Sequence, residues 1–477
     1  MTTGIVAFGA YIPRRRLQRK AIAEAHGWFN PGLAGIAKGE RAMANWDEDS
    51  VTMAVEAARD ALTGRARTDL AALKFASTTG PFVDRLHAGL IAEALDLGSD
   101  LHTVDFSTTQ RAGTSALVDA LASSGESIVV AAENRRTKAA SPLEMATGDG
   151  AAAIVTGSKG VVAKLLGKAS ASADFVDHFR SMDNTFDYQW EERWVRDAGY
   201  MQIVPPVVAR CLAAAKVKPE DVTTFCLPST IARVAQSVAK AAKLPDACVA
   251  DPLATVCGDT GAAHALVLLV AALEKAKPGD KILVVGFGQG ADVLLFEATS
   301  EITKRPKTLG VAGHLARRKA ETAYGRFLAF NDLIELERGM RAETDKATAL
   351  SSLWRNRKTV TSFIGAKCAK CGTVQFPKSN VCVNPNCNAF HTQEPHPFAE
   401  TPGRIMSFTS DRLTYSPDPP AMYGMVQFAE GGRTMMDFTD IDEGDLAVEK
   451  PMKMVFRIKD VDSNRGFRRY FWKATPA

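Results

Sequence analysis

From Ile5 to about residue 300, short apolar runs alternate with longer alanine-rich stretches whose apolar positions recur at helical spacing. GIVAFGAYI, KFASTTG, SIVVAAE and AAAIVTG read as strands; SVTMAVEAARDAL and SALVDALASS read as helices. Strands alternating with helices predict a parallel-type sheet with helices on its faces. In the first helix, Met53, Val55, Ala58 and Leu62 form the apolar stripe, with Asp47, Glu48, Asp49 and Ser50 just upstream. Ser50 is the expected cap, and the acids suit the positive end of the helix. The pattern also repeats. SIVVAAENRR followed by GDGAAAIVTG (Ser127–Gly157) is matched by KILVVGFGQGADVLLFEAT (Lys281–Thr299), which predicts a duplicated α/β fold.

After residue 300 the texture changes. EITKRPKTLG is charged and broken by Pro306, and reads as a boundary. Residues 324–355 read as helix. A cysteine-rich stretch follows, and from Gly403 onward short alternating runs such as GRIMSFTSDRL, MYGMVQFAEGG and MKMVFRIKDV predict a small antiparallel barrel. The expected organisation is therefore two α/β halves at 1–165 and 166–300, a linker with helices at 301–362, a cysteine module at 363–400 and a barrel at 401–477.

A length of 477 residues exceeds what one compact core holds and agrees with several domains. The 58 basic and 54 acidic residues leave a net charge of +4, which excludes a globally basic nucleic-acid surface. No apolar run reaches the ~18–20 residues needed to span a bilayer. The longest stretch, from Ala262, carries His264 and ends in Glu274 and Lys275, so it reads as a core helix with a buried histidine. At the N-terminus the charges follow the apolar run, the reverse of a secretory signal, and a cytoplasmic location is expected.

Eight cysteines are too few for a disulfide framework in so long a chain. Cys211, Cys226, Cys248 and Cys257 are scattered, but Cys368-x-x-Cys371 and Cys382-x-x-x-x-Cys387 form two short-spaced pairs. Such pairs close a tetrahedral thiolate shell around a structural zinc ion, with Gly372 at the knuckle. His391 and His396 lie close behind, outside a shell that four sulfurs already fill. FIGAKCAKCGTVQFP (Phe363–Pro377), TPGRIMSFT (Thr401–Thr409) and RGFRRYFWKA (Arg465–Ala474) resemble the acyl-CoA-associated zinc-ribbon/OB-fold family, which partners thiolase-like enzymes. OB-folds also bind oligonucleotides, and Arg465, Arg468, Arg469, Tyr470, Phe471 and Trp472 interleave bases with aromatics. Nucleic acid is the lesser reading.

GAYIPRRRL (Gly9–Leu17), NWDEDSVTMAVEAARDAL (Asn45–Leu62), GDGAAA (Gly148–Ala153), GDTGAA (Gly258–Ala263) and AKPGDKILVVGFGQGA (Ala276–Ala291) resemble the thiolase superfamily, its hydroxymethylglutaryl-CoA synthase branch above all. The ketoacyl synthase III-like fold of that group implies a five-layer αβαβα sandwich of duplicated halves, coenzyme A as part of the substrate, and a homodimer. It also implies a cysteine nucleophile at a helix start, where the helix dipole favours the thiolate. Here that position is Gln110. The branch's glutamate aligns on Thr78 or Thr79, its histidine on Cys226, and the ketoacyl-synthase asparagine on Asp259. The usual chemistry is displaced.

Three functions remain open: aldol or retro-aldol chemistry on a β-hydroxyacyl- or β-ketoacyl-CoA without an acyl-enzyme, a non-catalytic scaffold for a thiolase-like partner subunit, and an acyltransferase using a relocated cysteine such as Cys226. Gln110 as amide donor, Cys226 or Asp259 as base, and the backbone around Gly288 as oxyanion donor are the candidate catalytic groups. Tyr188, Glu191, Glu192 and Tyr200, in an aromatic and charged insertion, stand in reserve. Arg135 and Arg136, with Arg14, Arg15 and Arg16, are the candidates for coenzyme A phosphates.

Overall fold

The computed structural model describes residues 3–477. They group into two compact units, one comprising the chain up to Asn45, Asp49–Leu90 and Leu97–Asn331, the other Trp46–Glu48, Ile91–Asp96 and Asp332–Ala477.

The first unit is built on nine strands: β1 (Gly4–Tyr11), β2 (Leu70–Ala76), β3 (His102–Phe106), β4 (Glu126–Glu133), β5 (Gly150–Gly157), β6 (Ala163–Ser172), β7 (Thr224–Cys226), β8 (Lys281–Phe287) and β9 (Gly290–Ala298). Their order across the sheet is β7-β8-β9-β6-β1-β5-β4-β2-β3. The two sides of this order match. In each, a parallel neighbour (β2 or β7) flanks a strand (β4 or β8) that turns antiparallel into the next (β5 or β9). The expected repeat is thus a repeated strand pair. β1 and β6 join the sides through only two register pairs, Gly4↔Lys164 and Ile5↔Ala163.

Two apolar helices, α2 (Ala112–Ala120) and α4 (His264–Lys275), contact strands of both sides and share one buried cluster. Helix α1 (Ser50–Ala61) covers the outer face of β1, β4 and β5, and α3 (Met201–Ala215) covers β6 and β9. This is the five-layer αβαβα arrangement. The cap of α1 is Asp49 rather than Ser50: its carboxylate accepts from the N–H groups of Val51 and Thr52 at 3.0 Å, and Thr52 returns a capping-box bond. His264 is a satisfied core histidine, with Nε2 donating to Pro252 O at 2.9 Å.

The stretch around Pro306 belongs to this unit. Asp60 accepts from the N–H groups of Leu309 and Gly310, and Glu274 from those of Val311 and Ala312. These two half-buried carboxylates clasp the start of helix Gly310–Ala316, so a charged segment that reads as linker is tied down. Residues 324–355 form two short α-helices, Tyr324–Phe330 and Leu350–Arg355, with a three-residue 3₁₀ turn at Met340–Ala342 between them. Between them, Asp332 and Gly339 adopt positive φ (54° and 68°), which α-helix excludes.

In the second unit a small sheet (Ile364–Cys368, Val374–Gln375, Gln393–Pro397) carries the cysteines. Five antiparallel strands follow: β10 (Gly403–Asp411), β11 (Ala421–Phe428), β12 (Arg433–Asp437), β13 (Pro451–Asp462) and β14 (Phe467–Pro476), in the order β12-β11-β10-β13-β14. A bridge between Phe438 and Ala474 draws the two edges together into a barrel.

Candidate functional site

Gln110 stands two residues before α2, at the entry that β8 and β9 hold in place. Thr109 Oγ1 and Arg111 Nε both donate to the carbonyl of Gly288, at 2.9 and 2.8 Å, and Arg111 Nη1 reaches Asp292 at 3.0 Å. Asp292 is buried and also accepts from Ser115 and Ser170 at 2.6 Å each. A Cβ at Gly288 would lie 2.6 Å from Thr109 Oγ1, so glycine is required for this approach. The expectation that Gly288 offers an oxyanion donor is not met: its N–H already donates to Gly290 O at 3.1 Å. Gly288 shapes the site instead.

Gln110 and Asp259 line one small cavity of about 60 Å³, with Arg135, Asp177, His178 and Tyr200. Gln110 Nε2 makes one long bond of 3.4 Å to Thr78 Oγ1, and its Oε1 is buried without a protein partner. Asp259 Oδ1 accepts from Gly261 N at 2.8 Å. Gly261 has φ +54°, and a Cβ there would sit 2.8 Å from Gln110 Oε1, so only glycine lets the amide and this turn approach. Burial pushes the Tyr200 hydroxyl above its ordinary range.

Cys226 is not brought to this cavity. It is fully buried in the apolar cluster around α4, its thiol directed to Leu268 O at 3.6 Å, and burial pushes it up to about 12. Cys211 and Cys257 are likewise buried and pushed up to about 12, again by burial above all. A thiol so raised is neither a nucleophile nor a useful base near neutral pH.

The positions that resemblance assigns to a glutamate hold Thr78 and Thr79, and both hydroxyls donate to a carboxylate from elsewhere. Glu133, at the carboxyl end of β4 and fully buried, accepts from Ser77 Oγ (3.0 Å), Thr78 N (2.7 Å), Thr78 Oγ1 (2.8 Å), Thr79 Oγ1 (2.9 Å) and Ala262 N (3.3 Å). Sequence reasoning passed over it, although an acid closing an apolar strand run is a signal, because sites in α/β sheets gather at carboxyl strand ends.

His178 was also missed, inside the insertion that drew attention to its neighbours. Its Nδ1 donates to Asp177 Oδ2 at 2.9 Å, and Asp177 Oδ1 accepts from Gln289 Nε2 at 3.2 Å. His178 sits on a short hairpin, His178–Phe179 against Tyr188–Gln189. Of the reserve residues, Tyr200 lines the cavity, Tyr188 is half exposed beside it, and Glu191 and Glu192 face solvent.

Arg135 does not reach outward for a phosphate. It is buried, and donates through Nε to Asp187 at 2.8 Å and again through Nη2. Burial alone would lower its guanidinium, but Asp187 and Glu133 together hold it above the ordinary value. Arg180 joins the same Asp187 at 2.8 Å and donates to the carbonyl of Thr78. The insertion is thereby clipped to the Thr78 loop. Arg16 is buried too, donating to His314 O at 3.2 Å, and Arg15 pairs with Glu321 at 2.8 Å. Arg136 is half-buried.

In the second unit the Sγ atoms of Cys368, Cys371, Cys382 and Cys387 lie within 4.8 Å of one another. Sγ of Cys371 and Cys382 are 3.5 Å apart, and those of Cys368 and Cys387 4.0 Å. A tetrahedral zinc ion with Zn–S of about 2.3 Å requires edges of roughly 3.8 Å, so the donor set fits. The aromatic residues singled out in and before β14 are in part core residues. Tyr470 and Trp472 point into the core, stacked on Phe456 and Phe363, while Arg465 and Arg469 pair with Asp462 and Asp460. No helix among the described residues is long and apolar enough to cross a membrane.

Comparison with known proteins follows this division. Residues 212–294 match the 3-oxoacyl-[acyl-carrier-protein] synthase III C-terminal family. Residues 361–390 match the ChsH2 rubredoxin-like zinc ribbon domain, and 398–457 the ChsH2 C-terminal OB-fold domain. The chain is 28% identical over 352 residues to the hydroxymethylglutaryl-CoA synthase of Caldivirga maquilingensis, covering 71% of this chain and 100% of that one. With the enzyme of Pyrococcus furiosus it shares 30% over 332 residues, 66% of this chain and 92% of that one. A crystal structure of an HMG-CoA synthase complexed with CoA superposes with a TM-score of 0.62 at 17% identity, covering 83% of this chain and 100% of the other. 3-Oxoacyl-(acyl carrier protein) synthase III of Pseudomonas aeruginosa PAO1 gives 0.56 at 20% identity, over 65% and 99%.

Proposed function

Since the chain belongs to the hydroxymethylglutaryl-CoA synthase family, we propose that it makes or breaks a carbon–carbon bond beside an acyl-CoA thioester without forming an acyl-enzyme. One observation carries this reading. The cavity at the start of α2 holds Gln110, Asp259 and the His178–Asp177 pair, and no cysteine lines it.

In the cleavage direction, His178 Nε2 takes the proton of the β-hydroxyl. The Cα–Cβ bond breaks, Cβ departs as an aldehyde or ketone, and its bonding pair passes to Cα as a thioester enolate. An N–H of Gln110 donates to the oxygen on which that charge develops. The imidazolium then returns its proton to Cα, releasing the shortened acyl-CoA. Asp177 holds the Nδ1–H tautomer and stabilises the imidazolium. Asp259, engaged by Gly261 through Oδ1, has Oδ2 to orient the hydroxyl. Condensation is the same path reversed. Glu133 is a positioning residue that holds the Thr78 loop against Gln110. Arg136 remains the candidate for a coenzyme A phosphate, and the four cysteines hold a structural zinc.

The test is purified full-length protein with β-hydroxyacyl-CoA, monitored for a carbonyl product and shortened acyl-CoA, with intact-mass measurement alongside. Turnover with no acyl adduct is expected, and Gln110→Ala reduces kcat by roughly 10²-fold, the loss typical of one oxyanion donor. A stable acyl adduct on any cysteine, or CoA-thioester binding without turnover, overturns the reading in favour of the acyltransferase or the scaffold.

A further inference from the structure

Next to the Gln110 cavity lies a larger hollow of about 510 Å³, lined wholly by residues between Asp174 and Trp194. Its volume is in the ordinary range for a small-molecule site. Its wall is aromatic. Phe175 stacks on Trp194 with centroids 5.9 Å apart, Phe179 meets Tyr188 at 5.4 Å, and Tyr188 meets Trp190 at 6.2 Å. Val176, Phe179, Tyr188, Trp190 and Trp194 are each about half exposed, at 50–53%. So dense a set of uncovered apolar side chains marks a contact for something apolar.

Two features connect this hollow to the reaction cavity. Asp177 and His178 line both. An aromatic row then runs from Trp194 through Phe175 and Phe287 to Tyr200, with centroid spacings of 5.9, 6.4 and 4.0 Å, and its last two members face the cavity. The wall is also held in place, because Asp187 pairs with Arg135 and Arg180 and Asp177 accepts from Gln289. The charges in the lining select among ligands. Asp174 and Asp177 are present and no lysine or arginine is, so the phosphates of a nucleotide are repelled and a neutral chain is not.

We infer that this hollow takes the apolar acyl chain of the thioester, so that the preferred substrates carry chains of medium length, about six to ten carbons, rather than a two-carbon unit. The inference rests on the proposed function for the reaction at the chain's thioester end. It does not rest on it for the hollow's apolar selectivity.

The experiment is isothermal titration of the full-length protein with acetyl-, hexanoyl- and decanoyl-CoA, beside the β-hydroxyacyl-CoA turnover assay. Burying a methylene is worth up to fourfold in affinity, and a half-open hollow gives about twofold to threefold per carbon. Decanoyl-CoA is therefore expected to bind at least 100-fold more tightly than acetyl-CoA. In Trp190→Ala/Trp194→Ala that ratio falls to within about tenfold, whereas Trp190→Phe keeps it. Because the ratio is taken within one preparation, partial misfolding does not mimic the effect. A wild-type ratio near one overturns the inference. So does a wild-type ratio that the double variant leaves unchanged, since the acyl chain then lies elsewhere. A steep chain-length series without turnover upholds the hollow and sinks the lyase reading; turnover with a flat series does the reverse.

Discussion

Asp177 Oδ2 accepts from Nδ1 of His178 at 2.9 Å, and Gln289 holds the other oxygen of the same carboxylate from the turn between β8 and β9. A carboxylate-oriented imidazole therefore borders the Gln110 cavity although the family's usual histidine position is the buried Cys226. Replacing His178 with Ala is expected to lower kcat on β-hydroxyacyl-CoA by about 10²- to 10⁴-fold, the range for a lost general base. Asp177→Asn should keep most binding and lower kcat by less than His178→Ala does. An unaltered kcat in His178→Ala would remove the dyad from the mechanism.

Arg135 and Asp187 form a buried ion pair, and burial makes it asymmetric to disrupt. Asp187→Ala leaves the Arg135 guanidinium enclosed without its main counter-charge, a change worth about 3–5 kcal/mol. The visible outcome is release of the insertion, read as proteolytic cutting between residues 173 and 200 at protease levels that spare the wild type. Arg135→Met/Asp187→Leu, which removes both charges, should be the milder variant.

Asp149 contributes a pH dependence to stability. It is buried, accepts from Ala44 N at 2.8 Å, and has Arg41 only at 3.8 Å. Burial pushes its carboxyl up to about 6 against the partial opposing pull of Arg41. A folded-state pKa above the unfolded one means the native state binds the extra proton. The associated stability is present below about pH 4 and is lost as pH rises through 6, on the order of 3 kcal/mol in all. The thermal transition of the wild type should therefore fall relative to Asp149→Asn by several degrees between pH 4 and 7, measured by scanning calorimetry. Parallel curves would show that Asp149 stays ionised.

For the cysteine module, native mass spectrometry should find one zinc per chain, and none in Cys382→Ser. Small zinc modules derive much of their folding free energy from the metal. Chelation is thus expected to abolish the ordered signals of residues 361–397 in amide exchange while the β1–β9 sheet keeps its protection.

Much of the architecture was legible because it rests on short-range patterns. Apolar periodicity marked strands and helices, the two copies of the β4–β5 and β8–β9 pairs stood out as a repeat, and two cysteine pairs at close spacing announced a metal shell. Where local signals conflicted with distant ones, the reading failed. The segment around Pro306 reads as a linker because Asp60 and Glu274, whose carboxylates hold it, lie far away in sequence. Arg135 reads as a phosphate ligand because nothing near it in sequence announces Asp187, and alternation in β14 does not tell that Tyr470 and Trp472 lie on the covered face.

By itself, then, the sequence determined the fold class, the duplicated halves, the zinc module and the absence of cysteine at position 110, since each depends on residue type, order and spacing. The tertiary structure decided which side chains meet around position 110. Gln110, Asp259, Glu133 and His178 come from four separate segments, and only chain folding brings them to one carboxyl end of the sheet. It also decided which charges are buried and paired, because burial and the distance to a partner are set by packing between elements, on which a linear pattern is silent.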